Sequence, residues 1–400
     1  MFNHLLKALW RRKFKNGLLS LEILLAFFVV FGLALLAARY YQLYYLPMGF
    51  EHKQVWSVEL KMSGENDATK DAIAYDNFKR SLAAMPEVEQ VGFALFSPYR
   101  WSKWTTTYHL PDAAKSVGTN QFELDDDAAK ALNIGYTEGR GFSELDEGAA
   151  HTAVLVNKLF AKKMFGGQSA IGKTVQDKKP GDAEAKSYKV VGVVEDFRNR
   201  GEFMMPVPYL IKRFSPISNK NTLNAILLKV KPDTSRIFEA KLMQQLKLVR
   251  SDWGYKVAPL TELRKSMFTT DTIPLVILAV IAAFLLLMVG FGLFGVLWQN
   301  TTQRIPEIGL RRAVGANTAD IYKQIIIEQL LLCSFAMVVG LALLVQLPIT
   351  GVLGESVNWT IFGVAALASI SAIFLMSILC SLYPAWRAGR MSPTQALRFE

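Results

Sequence analysis

The chain has 400 residues, half of them apolar, with a formal net charge of +11 and only two cysteines. Residues 40–271 hold 32 Lys and Arg against 28 Asp and Glu, so most of the excess charge lies outside this long middle segment, beside apolar runs. That distribution speaks against a nucleic-acid partner, and two cysteines that both fall inside apolar runs (Cys333 and Cys380) leave no disulfide framework.

Met1 to Asn16 alternates Phe2, Leu5, Leu6, Leu9 and Trp10 with basic residues, which predicts an amphipathic surface helix over 1–17. Residues 18–38, 272–298, 325–347 and 359–383 are each apolar over a length that crosses about 30 Å of hydrocarbon. The first run begins like a signal peptide. Its apolar part exceeds the usual length of one, and Arg39-Tyr40-Tyr41 follows as an interfacial anchor, so it reads as a retained span. Lys7, Arg11, Arg12, Lys13 and Lys15 precede it, Arg304, Arg311, Arg312 and Lys323 sit between the second and third runs, and Arg387, Arg390 and Arg398 follow the fourth. Segment 348–358 has no basic residue and carries Glu355. Because basic flanks stay on the cytoplasmic side, both termini and loop 299–324 are expected inside, with 39–271 and 348–358 outside.

The long middle segment opens with an alternating strand (54–61), a helix (71–85) stopped by Pro86, and a strand over 88–96. Trp101, Trp104 and Tyr108 mark another β-prone run. Ala153 to Val156 reads as a strand, Asn157 as an N-cap, and Lys158 to Phe165 as a helix. Strands over 188–196 and 224–230, then a helix over 235–250, complete an α/β (α+β) domain. Asp125-Asp126-Asp127 reads as a solvated helix start.

Catalytic signals are weak. Gly167 to Thr174 spells the phosphate-loop pattern, but a helix precedes it and a strand stub and turn follow, where a phosphate loop needs a strand before and a helix after. His4, His52, His109 and His151 are far apart, and no catalytic, metal or cofactor-binding set emerges. Within the spans the acids are Glu22 and Glu328, both near cytoplasmic ends, which does not suit an ion-driven carrier.

Loop 299–324 carries the most specific pattern. Pro306 suits a first helical turn, Glu307 can pair with Arg311, Gly315 can end the helix, and Asn317 with Asp320 can cap the next. Arg304, Glu307, Ile308, Gly309, Arg312, Ala313, Gly315 and Ala316 together resemble the signature of MacB/FtsX-like ABC transporter permeases. Residues 128–175, the strand Tyr188 to Asp196 and the closing segment Pro384 to Arg398 are similar to the same family.

The resemblance implies four transmembrane α-helices plus a large extracytoplasmic domain inserted between helices 1 and 2. That domain would have two lobes, about 50–110 with 220–265, and 111–219. It further implies a bacterial inner-membrane protein that is not itself an enzyme. Arg304, Glu307, Ile308, Gly309, Arg311, Arg312, Ala313, Gly315 and Ala316 would contact a cytoplasmic ABC ATPase subunit, which holds the ATP-Mg. A second permease copy or similar permease, membrane lipid, and a periplasmic adaptor or exterior enzyme complete the expected partners. Two functions stay open: a transporter subunit handling substrate outside the bilayer, and a non-transport regulator that activates an exterior hydrolase or senses antimicrobial peptides.

Overall fold

The structure, a computed structural model, describes residues 13–62, 68–111, 115–179, 182, 185–214, 224–351 and 358–390. The expected surface helix over 1–17 lies largely outside them, as do residues 352–357 of the short loop and 391–400 of the tail. The chain divides into two compact units, residues 1–42 with 272–400, and residues 43–271.

The first unit is helical. Among the described residues four helices are long and apolar enough to cross a membrane. They are α1 (Lys13–Tyr44), α6 (Leu260–Gln303), α8 (Thr318–Leu344) and α10 (Trp359–Arg390). Residues 43–44 of α1 and 260–271 of α6 belong to the second unit. A nine-residue helix, α7 (Ile305–Ala313), joins α6 to α8, and the short α9 (Gln346–Thr350) follows α8. The core is built from Ile23, Phe27 and Phe31 of α1, Leu293 of α6, Met337 of α8 and Ile373 of α10. Small polar side chains knit the spans: the Cys333 sulfur lies 2.8 Å from Ser377 Oγ, and Cys380 donates to the Gly290 carbonyl at 3.4 Å. The sequence places the second span from residue 272, yet α6 starts at Leu260. At 1.5 Å per residue its 44 residues measure about 66 Å, twice what a bilayer core needs.

The second unit is an inserted domain of two parts. In the first, β1 (Val55–Lys61), α2 (Ala68–Ala83), β2 (Val88–Ala94), β10 (Ala225–Val230), α5 (Ile237–Val249) and β11 (Gly254–Pro259) form an antiparallel sheet in the order β11-β1-β10-β2. Alternate residues serve two cores. Trp56, Val58, Ile226 and Leu228 pack with Phe78 and Leu82 of α2 and with Phe238 and Leu242 of α5. Val55, Ala225 and Leu227 join a second cluster with Phe122, Phe197, Leu260 and Met267. A sheet with apolar side chains on both faces explains why β10 is apolar at nearly every position.

The second part is inserted between β2 and β10. Its strands are β3 (Trp104–His109), β4 (Ser116–Leu124), β5 (Tyr136–Gly139), β6 (Thr152–Asn157), β7 (Thr174–Gln176), β8 (Ser187–Val194) and β9 (Tyr209–Arg213), with helices α3 (Asp126–Ala131) and α4 (Lys158–Phe165). The path β4-β3-β7-β8-β6-β9 closes on itself through β4–β9, so this part is a barrel. Tyr108, Val154, Val156, Phe160 and Val190 fill one of its cores. A boundary at residue 110 would assign β3 to the first part, but β3 pairs with β4 and β7. Asn157 caps α4 as its sequence predicts, accepting from the Phe160 amide at 2.9 Å. Asp125 departs from the solvated start expected of the acidic run: its carboxylate accepts from Ala128 N at 2.7 Å and Phe93 N at 3.0 Å, tying α3 to β2. Gly167 to Thr174 runs from the end of α4 into strand β7.

Candidate functional site

The loop between the second and third spans forms as its sequence implies. The main chain turns at Arg304, whose amide donates to the Thr301 carbonyl at 3.1 Å, and α7 follows with Pro306 and Glu307 in its first turn. At the other end Gly315 takes φ +104°, a conformation that L side chains resist, and the Ala316 amide bonds back to the Arg311 carbonyl at 3.0 Å. Asn317 and Asp320 then form a reciprocal capping box at the start of α8.

Helix α7 has two faces. Ile305 and Gly309 are buried, and Arg304 and Ile308 are half-buried, so this face turns toward the spans. The opposite stripe, at helical spacing, is Glu307, Leu310, Arg311 and Val314. Leu310 is 58% exposed and Val314 83% exposed. The expected nine-residue contact set therefore splits. Glu307, Arg311, Ala313 and Gly315 are exposed, Ala316 is half-buried, and Arg304, Ile308 and Gly309 look inward, while the Arg312 side chain lies outside the described residues. Leu310 and Val314 escaped sequence reasoning that followed the signature letters. The signal was there, as an apolar i,i+4 pair in phase with Glu307 and Arg311.

A polar chain fastens α7 to the third span. Arg311 pairs with Glu307 at 2.7 Å and also reaches Gln324 Oε1; Gln324 Nε2 donates to Glu328 at 3.0 Å; Arg304 completes the chain to Glu328 at 2.5 Å. Beneath it lies a cavity of about 60 Å³ whose lining includes Leu19, Leu297, Ile321 and Gln329. At the ends of the second and fourth spans Trp298 stacks on Tyr383 with ring centroids 5.7 Å apart, Arg387 covers Trp298 at 4.3 Å and Arg390 covers Trp386 at 4.6 Å. Aromatic rings carrying cations are what a membrane interface favours.

The Arg304–Glu328 pair is mostly shielded, with side-chain exposures of 21% and 14%. Arg304→Ala strands a half-buried carboxylate and is expected to cost about 2 kcal/mol, whereas Arg304→Ala with Glu328→Ala costs less because no charge is orphaned. Thermal unfolding of the purified protein in nanodiscs measures both; equal losses would contradict the pairing.

The inserted domain offers a separate concavity of about 830 Å³ whose lining includes Tyr75, Phe93, Phe142, Arg213 and Phe214. Arg213 there holds Asp126 at 2.8 Å and Glu147 at 2.5 Å. No group of three or more His, Cys, Asp or Glu with metal-holding geometry occurs among the described residues.

Comparison with known proteins bears on both units. Residues 26–244 match the family described as MacB-like periplasmic core domain, and residues 279–393 match FtsX-like permease C-terminal. A macrolide export ATP-binding/permease protein MacB from Syntrophobacter fumaroxidans is 34% identical over 148 residues, 36% of this chain and 20% of the relative. The chain thus spans only a fifth of that relative, and less than half of other MacB relatives that it matches. The uncharacterized ABC transporter permease YvrN of Bacillus subtilis is 23% identical over 98% of both chains. The solved periplasmic region of MacB from Actinobacillus actinomycetemcomitans matches at 15% identity with a TM-score of 0.39, over 55% of this chain and 94% of that one. With four candidate spans around a matched core domain, the chain belongs to the MacB/FtsX family of ABC transporter permeases.

Proposed function

We propose that this permease carries work from an ATP-hydrolysing ABC subunit to its inserted domain. The observation that carries the reading is the outward stripe of α7: Leu310 and Val314, flanked by Glu307 and Arg311, stand exposed on a helix pinned to the third span through Glu328. An exposed apolar pair within a charged rim has the make-up of a small docking knob. The Lys and Arg beside the spans favour a cytoplasmic position for this knob and both termini, with residues 43–271 outside. ATP-Mg belongs to the partner in this reading. Closure of two ATPase subunits would press α7 of two permease copies, and the polar chain would pass the push to the third span. Substrate is then handled by the inserted domain beyond the bilayer, as efflux or as extraction from the membrane.

The test has two arms. Single cysteines at Val314 and at Lys162 of the inserted domain, in a background lacking Cys333 and Cys380, are labelled with an impermeant maleimide in intact cells; only Lys162→Cys is expected to react. The permease co-expressed with its cognate ATPase is expected to raise ATP hydrolysis in nanodiscs. Both cysteines reacting from the same side, or hydrolysis indifferent to the permease, overturns the reading.

A further inference from the structure

Arg198 is completely buried, yet no carboxylate makes a hydrogen bond to it among the described contacts. Its guanidinium donates to main-chain oxygens instead: Leu43 and Pro47 at 2.9 Å each, Leu46, Glu202 at 2.7 Å and Met204 at 3.4 Å. Leu43 lies in the last turn of α1, and Leu46 and Pro47 in the segment that follows it directly. The last carbonyls of a helix lack intrahelical partners and sit at the negative end of its dipole, so a buried cation is well placed to cap them. The cap comes from a loop about 150 residues away in sequence, and the approach is close. The Arg198 amide donates to the Met48 carbonyl at 3.0 Å, and Gly49, at φ +84°, lies so near the Asp196 carbonyl that a β-carbon would overlap it.

The same loop grips the first turns of α6. Glu202 pairs with Arg264, and Phe203 packs on Phe268 with centroids 5.1 Å apart. Tyr44, at the end of α1, closes the ring cluster at 6.2 Å from Phe268 and 6.5 Å from Phe203. One nine-residue segment, 196–204, therefore holds both the end of the first spanning helix and the start of the second. Four buried polar atoms in and beside it, Tyr99 Oη, Asn199 Nδ2, Arg200 Nε and Glu202 Oε2, have no hydrogen-bond partner among the described residues. Unpaired buried groups are costly, so the segment does not sit in a fully satisfied hydrogen-bonding arrangement.

We propose that segment 196–204 is the joint through which movement of the first two spans reaches the inserted domain, with Arg198 as its positioning residue. The inference rests on the work-transfer reading and names where that transfer is made.

The experiment uses the full chain with its cognate ATPase in nanodiscs, spin-labelled at Lys162→Cys and Thr360→Cys in a background lacking Cys333 and Cys380. Electron–electron distance measurements compare nucleotide-free protein with ATP-Mg-vanadate-trapped protein. The unmodified joint is expected to show a shifted distance distribution. Arg198→Gln is expected to lose at least half of that shift while ATP hydrolysis stays within twofold, and Arg198→Lys to recover part of it. Amide exchange in β6 and β8 reports whether the domain is folded. Where Arg198→Gln does not fold, Arg264→Gln, a change at a half-exposed residue, is the deciding variant, with the same loss expected. A full shift in a folded joint variant overturns this inference alone. No shift in the unmodified protein overturns the work-transfer reading and this inference with it.

Discussion

Replacing Leu310 and Val314 together with Asp is expected to weaken binding of the ATPase subunit about a hundredfold. Each is an exposed apolar side chain, and burying one in a partner's groove contributes roughly 1.5–2 kcal/mol. Removing both therefore costs about 3 kcal/mol, near two decades in Kd. The added carboxylates also lie beside Glu307 in the outward stripe and must be desolvated on docking. Glu307→Gln serves as the contrast, because the Glu307–Arg311 pair is about half-exposed and an exposed ion pair contributes little. Binding of the detergent-solubilised permease to immobilised ATPase measures all three proteins. Affinity of the double variant within threefold of the parent would remove α7's outer face from the interface.

The contrast between Leu310 and Gly309 shows what one chain of letters reveals and conceals. Periodicity, Pro306, Gly315 and the Asn317–Asp320 cap are local signals, and the helix–corner–helix they describe forms as written. Which face turns outward depends on the neighbouring spans: Arg304 turns in to meet Glu328 of α8, and Ile308 and Gly309 are shielded on the same side. The four spans were equally legible, since a bilayer imposes length and apolarity on the sequence itself.

The barrel was not legible, for a different physical reason. Its closure depends on β4 pairing with β9, about ninety residues away, and on β6 meeting both β8 and β9. Long-range pairing leaves no periodic trace, and β5 and β7 are too short to announce themselves. Arg198 is concealed more deeply still. Nothing in Asp196-Phe197-Arg198 distinguishes a buried cap from a surface cation until the end of α1 is brought beside it.

Asn157 connects these levels, and Asn157→Ala is expected to destabilise the inserted domain by about 3–5 kcal/mol. The side chain is 1% exposed and uses its full bonding capacity. Oδ1 accepts from the Phe160 and Tyr209 amides, both at 2.9 Å, while Nδ2 donates to the Val207 carbonyl at 2.8 Å and to Asp196 at 3.1 Å. The cap alone would account for about 1 kcal/mol; the remainder comes from the buried Tyr209 amide and Val207 carbonyl losing their partners. The loss has a pH signature. Burial already holds the Asp196 carboxyl above the usual carboxylate range, so its contribution to stability is present at low pH and is lost as pH rises through that raised value. The Asn157 donor holds this value down, and removing it raises the folded pKa further, making the ionised form harder to keep. Destabilisation by Asn157→Ala should therefore be larger at pH 8 than at pH 5. Denaturant unfolding at the two pH values, with amide exchange at Phe160 and Tyr209, measures the effect. A loss below about 1 kcal/mol, the same at both pH values, would reduce Asn157 to an ordinary helix cap and leave the 196–209 stretch that carries Arg198 without its support from the barrel.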